Sequence, residues 1–192
     1  MAIPVQMQAA HTLYGQPLVD GRLFMGVSAV AGLALITTAT TGGHPTLWNP
    51  VGSGVNISIV SLSLSVKDGT NAFGSLGWYK TANAGAVAAT AAPIATFTNV
   101  APSPCLVGSA QTSKVFWSPT TNTFTAAPVY YAPIPINLYP VTVGAVVVGT
   151  IWRVVYDGTL GLAPGNALSI CSVEATTTSK IISKLLWEEI PI

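Results

Sequence analysis

The sequence predicts an all-β, jelly-roll-like two-sheet sandwich. Three observations carry that prediction: one long stretch of strict apolar–polar alternation, Gly- and Pro-rich turns throughout, and no segment whose helical period outweighs its strand period. With 192 residues the chain can bury one sizeable core, and the jelly roll is a common two-sheet solution at this size. The expected organisation is an N-terminal arm, 1–20, followed by a single sandwich domain, 21–192.

The arm, Met1 to Asp20, shows no clean period. Pro4 and Pro17 discourage regular structure and Gln6, Gln8 and Gln16 break the apolar runs. An extended segment that orders against a neighbour is expected, with a simple first strand as the alternative. Gly21 to Thr38 reads as one or two strands, and Thr40 to Pro45 as a loop. Leu47-Trp48-Asn49-Pro50 leads into a turn at Gly52-Ser53-Gly54.

Val55 to Val66 is the clearest strand. Val55, Ile57 and Ile59 alternate with Asn56 and Ser58; then the phase flips, and Val60, Leu62, Leu64 and Val66 alternate with Ser61, Ser63 and Ser65. A one-residue flip turns the later side chains to the opposite face unless a bulge or bend absorbs it. A bulge or corner near Ile59-Val60 is therefore expected, with Ile57 and Leu62 both buried. Lys67 to Thr70 reads as a turn, and Phe73 to Lys80 as a returning strand that forms a hairpin with Val55–Val66.

Ala82 to Ala95 reads as loop or irregular strand, because Gly85, Pro93 and the lack of charge spoil a helix. Seven prolines between Pro102 and Pro140 limit the middle to short extended segments. Near the C-terminus, Trp152, Val154 and Tyr156 alternate with Arg153 and Asp157, and Asp157-Gly158 and Ala163 to Asn166 read as turns around a short segment at Leu160 and Leu162. Ala167 to Ala175 and Ser179 to Ile192 read as the last two strands. For the final one, strand spacing groups Trp187 with Ile181 and Leu185, whereas helical spacing leaves Trp187 beside Ser183 and Lys184.

Composition narrows the functional classes. Half of the residues are hydrophobic and only 7% are charged, against about 25% in an ordinary soluble domain. A solitary protein stays dispersed largely through surface charge, so part of this surface is expected to be covered in an assembly. The formal net charge of +1 implies no nucleic-acid partner and no attraction to an anionic membrane. The apolar stretches Gly26–Ile36 and Val141–Val155 are interrupted by Thr, Gly and Arg153 and fall short of a spanning helix. A transmembrane barrel would call for repeated hairpins with aromatic girdles, and the aromatic residues do not recur that way. Met1 to Gln6 lacks signal-peptide features, so synthesis in the cytoplasm is expected. Cys105 and Cys171 are then expected as free thiols, although sequence does not exclude a disulfide.

Residues for chemistry are few. His11 and His44 are the only histidines, and Asp20, Asp68 and Asp157 the only aspartates. None falls in a nucleophile-elbow or triad pattern. Glu188 and Glu189 are adjacent, so on a strand they point to opposite faces and do not converge on a metal or form an acid–base pair. Gly52-Ser53-Gly54 lacks the Lys of a phosphate loop. No catalytic, cofactor-binding or metal-ligating residue is therefore assigned, and no enzymatic activity is expected. Sugar stacking on aromatic faces is the remaining alternative. Trp152 and Trp187 fall on predicted core faces, which leaves Trp117 and the pair Tyr130-Tyr131 open for that role.

Leu47-Trp48-Asn49-Pro50-Val51-Gly52-Ser53-Gly54-Val55-Asn56, followed by an alternating strand, resembles a segment of tailed-phage virion proteins. So does the ending Leu186-Trp187-Glu188-Glu189-Ile190-Pro191, and Asp157 to Leu168 is similar to the turn and strand that precede that ending. The resemblance covers the last third and one early block. It implies a small jelly-roll-like, trimeric protein on the bacteriophage head, a capsid decoration or cement protein contacting the major capsid protein, or else a receptor- or glycan-binding knob of a head or tail fibre. The low charge favours the cement role.

Overall fold

The computed structural model describes residues 14–34, 45–68, 75–82, 94–96, 98–120, 122–124, 127–135, 151–173 and 180–192. In chain order its elements are α1 (Gly15–Val19), β1 (Leu23–Val27), β2 (Leu33–Ala34), β3 (Thr46–Asn49), β4 (Val55–Asp68), β5 (Leu76–Ala82), β6 (Ile94–Thr96), β7 (Ser103–Pro104), β8 (Phe116–Ser118), β9 (Thr123–Phe124), β10 (Val129–Pro133), β11 (Ile151–Leu162), β12 (Asn166–Ser172) and β13 (Lys180–Pro191).

Two antiparallel sheets pack face to face. The first runs β11-β4-β13-β1-β7, with β2 added on β13; the second runs β10-β5-β12-β3-β8. Without the two short outer strands, these are four-stranded sheets whose successive long strands fall alternately on one sheet and the other, β5 and β10 alone being paired neighbours. That is jelly-roll wiring. The described part of the proline-rich middle adds β7 to the far edge of the first sheet and β8 to the far edge of the second, and forms the separate β6–β9 pair.

The core is one cluster between the sheets. Ile57, Ile59, Leu62, Leu64, Leu185 and Trp187 come from the first sheet, and Leu47, Trp78, Trp117, Leu168 and Ile170 from the second. A smaller cluster of Trp48, Phe116, Phe124 and Ala167 covers part of the second sheet's other face. Thr46, Ser169 and Cys171, out of phase with the core, are buried as well.

The phase flip in β4 is absorbed by a bulge. Against β13, Ile59 faces Trp187 and Ser61 faces Leu186, so Val60 is the extra residue. Ile57 and Leu62 are 2% and 0% exposed, and both belong to the same core despite their opposite phases. The final segment is a strand throughout its length: Ile181, Ser183, Leu185, Trp187 and Glu189 are buried in strict alternation.

Three expectations differ from the structure. Val55–Val66 and the strand after it form no hairpin: β4 is flanked on both sides by β11 and β13, so β5 crosses to the opposite sheet and pairs with β10 and β12. Asp157-Gly158 ends no strand. Both have positive φ (44° and 82°) and sit in a bulge inside β11, whose two halves, up to Val155 and from Leu160, pair with the same strand β4. The chain before Gly21 is not extended over its described part: Gly15–Val19 is a short helix whose Gly15 and Pro17 are buried. Residues 1–13 lie outside the described residues. The turn expected at Ala163 to Asn166 is present and carries the chain from β11 in the first sheet to β12 in the second.

Candidate functional site

The Trp48-Asn49-Pro50 segment is a structural clamp. Asn49 ends β3, and its Nδ2 donates to the carbonyls of Val55 (2.9 Å) and Leu162 (3.0 Å) in the opposite sheet. One buried amide thus fixes the rim where β3 passes to β4, and satisfies two backbone acceptors at the strand ends.

Four of the tryptophans, Trp48, Trp78, Trp117 and Trp187, are buried, and Trp152 is half-buried against the core. Trp117, left open by sequence, lies over Gly26 and donates its indole N–H to the Val27 carbonyl at 3.3 Å. Trp78 donates to the Tyr156 hydroxyl at 2.7 Å across the sandwich. None of these four indoles is available for stacking on a ligand.

Tyr130 and Tyr131 are different: each is about half exposed. In the β10–β5 ladder Tyr130 faces Tyr79 and Ala132 faces Trp78, so Tyr131 is the extra residue of a bulge. Tyr130 packs edge-on to Tyr79 and lies over Gly77, where a Cβ would come within 2.8 Å of its ring. Tyr131 is turned toward Lys80, whose Nζ is 5.2 Å from the ring centroid. Beside this pair opens a cleft of about 140 Å³, bounded by Lys80, Tyr131, Gly161, Leu162, Asn166 and Leu168. It lies where the turn after β11 enters β12. Sequence reasoning found Tyr131 but not Lys80, Leu162 or Asn166, because four strands, β5, β10, β11 and β12, bring them together.

Glu188 and Glu189 do point to opposite faces. Glu188 pairs with Arg22 (2.5 Å), which also reaches Asp20 (3.3 Å). Glu189 is buried; its carboxylate accepts from Ser113 Oγ (2.5 Å) and from the Lys114 amide (3.1 and 3.2 Å), holding the 113–115 loop onto the last strand. Asp157 accepts a hydrogen bond from the Tyr14 hydroxyl at 2.9 Å. Burial, this bond and the nearby carboxylates of Asp157 and Glu188 push the Tyr14 phenol up to about 12.

Both cysteines are free thiols. Cys171 is buried and Cys105 partly so, and burial raises the pKa of each, that of Cys171 far more. His11 and His44 lie outside the described residues. Among the described residues no cluster of three or more His, Cys, Asp or Glu is placed to hold a metal ion, and no helix is long and apolar enough to cross a membrane.

Exposed large apolar side chains are spread over the described surface, with Val30 and Val107 the most exposed, and five of them fall on two strands. Val129, Tyr130 and Tyr131 are on β10; Ile151, 71% exposed, and Val155, 50% exposed, are on β11. Among the described strands β10 and β11 each end their sheet, and the Trp78–Tyr156 bond places these two ends on the same side of the sandwich.

No family model, curated protein or solved structure matches this chain.

Proposed function

We propose that the chain is a non-enzymatic structural protein of a tailed-phage virion, a capsid decoration or cement protein that acts as a homotrimer against the major capsid protein. In this reading it is made in the host cytoplasm and resides in the virion. The observation that carries the reading is the set of large apolar side chains left exposed, among them Val30, Val107, Val129, Tyr130, Tyr131 and Ile151, on a chain with only 7% charged residues. Exposed apolar side chains on a weakly charged protein favour burial against other subunits, and closed rotational symmetry covers the same surface in every copy without growing a filament. The jelly roll suits the role, being common in capsid domains, though a fold alone does not assign function.

Light scattering on the purified protein tests the assembly: a trimer is expected, and a soluble monomer at high concentration would overturn it. Attachment to particles is the second test. Apolar burial and strand-edge pairing are not screened by salt, whereas contacts through Lys and Arg weaken as the Debye length falls to about 3 Å at 1 M. Binding is expected to survive a 1 M salt wash and to be lost in mild chaotrope or on deletion of residues 1–13. Release by salt alone, with the deleted form still binding, contradicts the reading.

A further inference from the structure

We propose that the cleft beside Lys80 and Tyr131 binds a single carboxylate-bearing sugar unit, of the uronic acid type. The inference is independent of where the chain resides.

Each wall of the cleft asks for a different part of such a ligand. The bulge in β10 takes Tyr131 out of the strand's pairing and leaves its ring about half exposed at the cleft. An exposed aromatic face is a platform for the C–H face of a pyranose. Leu162 and Leu168 provide an apolar floor, and Gly161 keeps one side open. Lys80 brings the cation. Both ion pairs among the described residues are made by Arg22, so Lys80 shares no carboxylate with them. Its Nζ, 5.2 Å from the Tyr131 centroid, is placed to meet an anionic group on a ring stacked there.

Asn166 supplies the third element. Its Nδ2 donates to the carbonyls of Ala163 (3.3 Å) and Pro164 (3.1 Å), which fixes the amide plane and leaves the side-chain oxygen as an acceptor. That oxygen calls for a hydroxyl donor on the ligand. An acidic peptide side chain would satisfy Lys80 but offers neither a hydroxyl for Asn166 nor a ring face for Tyr131. A neutral sugar satisfies those two and leaves Lys80 unused. The cleft is small, about 140 Å³, and the proposal is confined to a single ring.

The test is titration of the full-length protein at low salt with glucuronate, glucose and acetate, followed by calorimetry and saturation-transfer NMR. Glucuronate is expected to bind, glucose about tenfold more weakly for want of the charge-assisted contact, and acetate not measurably. Tyr131→Ala should abolish binding of both sugars. Lys80→Met should bring glucuronate down to the level of glucose. Both side chains are exposed, so melting curves should match the parent. Ala163→Trp, at an exposed residue that also lines the cleft, provides a second block that fills the cleft while keeping Lys80, Tyr131 and Asn166. No saccharide binding, acetate competing as well as glucuronate, or unchanged binding by Tyr131→Ala would each overturn the proposal.

Discussion

Gly26→Ala should destabilise the protein, although alanine is normally the better strand residue. A Cβ at position 26 would lie 2.6, 2.7 and 2.8 Å from Cγ, Cδ2 and Cδ1 of Trp117. The indole has no room to retreat: it is 1% exposed, belongs to the core and is tied by its N–H to the Val27 carbonyl. Gly26 is not among the residues with positive φ, so the backbone itself accepts alanine. Removing a glycine from a strand should gain about 0.5–1 kcal/mol, while overpacking a well-filled core costs about 1–3 kcal/mol. The net expectation is a loss between about 0 and 2.5 kcal/mol, with its midpoint just above 1 kcal/mol, which lowers the melting temperature by about 3–5 °C for a chain of this size. Urea unfolding followed by far-ultraviolet circular dichroism gives the value. In a Trp117→Ala background the same substitution should lose its penalty, since the clashing ring is gone. A Gly26→Ala protein more stable than the parent would refute the argument that Trp117 joins the sheets by lying flat on β1.

Glu189→Ala should cost about 2–4 kcal/mol in urea unfolding, because it strips a buried carboxylate from Ser113 Oγ and the Lys114 amide; amide exchange at Lys114 should rise with it. Tyr14 is an acid whose folded pKa, about 12, lies above its ordinary value of 10. Its stabilising effect is therefore complete below pH 10 and is lost as pH rises through 12. Melting curves of the parent and Tyr14→Phe should converge over that interval, and a constant difference would contradict the Asp157 bond. In the native protein at pH 8, a thiol reagent should modify Cys105 well before Cys171, and both should react quickly in denaturant; equal native rates would show that Cys171 is not sealed from solvent.

Alternation, which is local, was enough to read the all-β class, the final strand with Ile181, Leu185 and Trp187 on one face, and the bulge at Val60. A side chain's face follows from its neighbours in sequence through the two-residue period of a strand. Pairing is not local. Nothing in Val55–Val66 tells that β13 and β11 occupy both its edges, so a hairpin with the next strand looked natural until the tertiary structure sent β5 to the other sheet. The same limit applies at Asp157-Gly158: a turn and a bulge use the same left-handed backbone, and only the continuation of both halves along β4 makes it a bulge. The second sheet's outer face escaped notice because Trp48 is out of phase with the core and packs in a separate cluster with Phe116, Phe124 and Ala167, while Ser169 and Cys171, in the same phase, are buried too. The cleft was legible only as a pair of tyrosines. Lys80, Leu162 and Asn166 join Tyr131 through the jelly-roll crossing from β11 to β12. Sequence by itself determined which side chains turn inward and how little charge remains for the surface; which strands meet, and what they gather at their ends, was decided by long-range pairing, which no residue's neighbours along the chain encode.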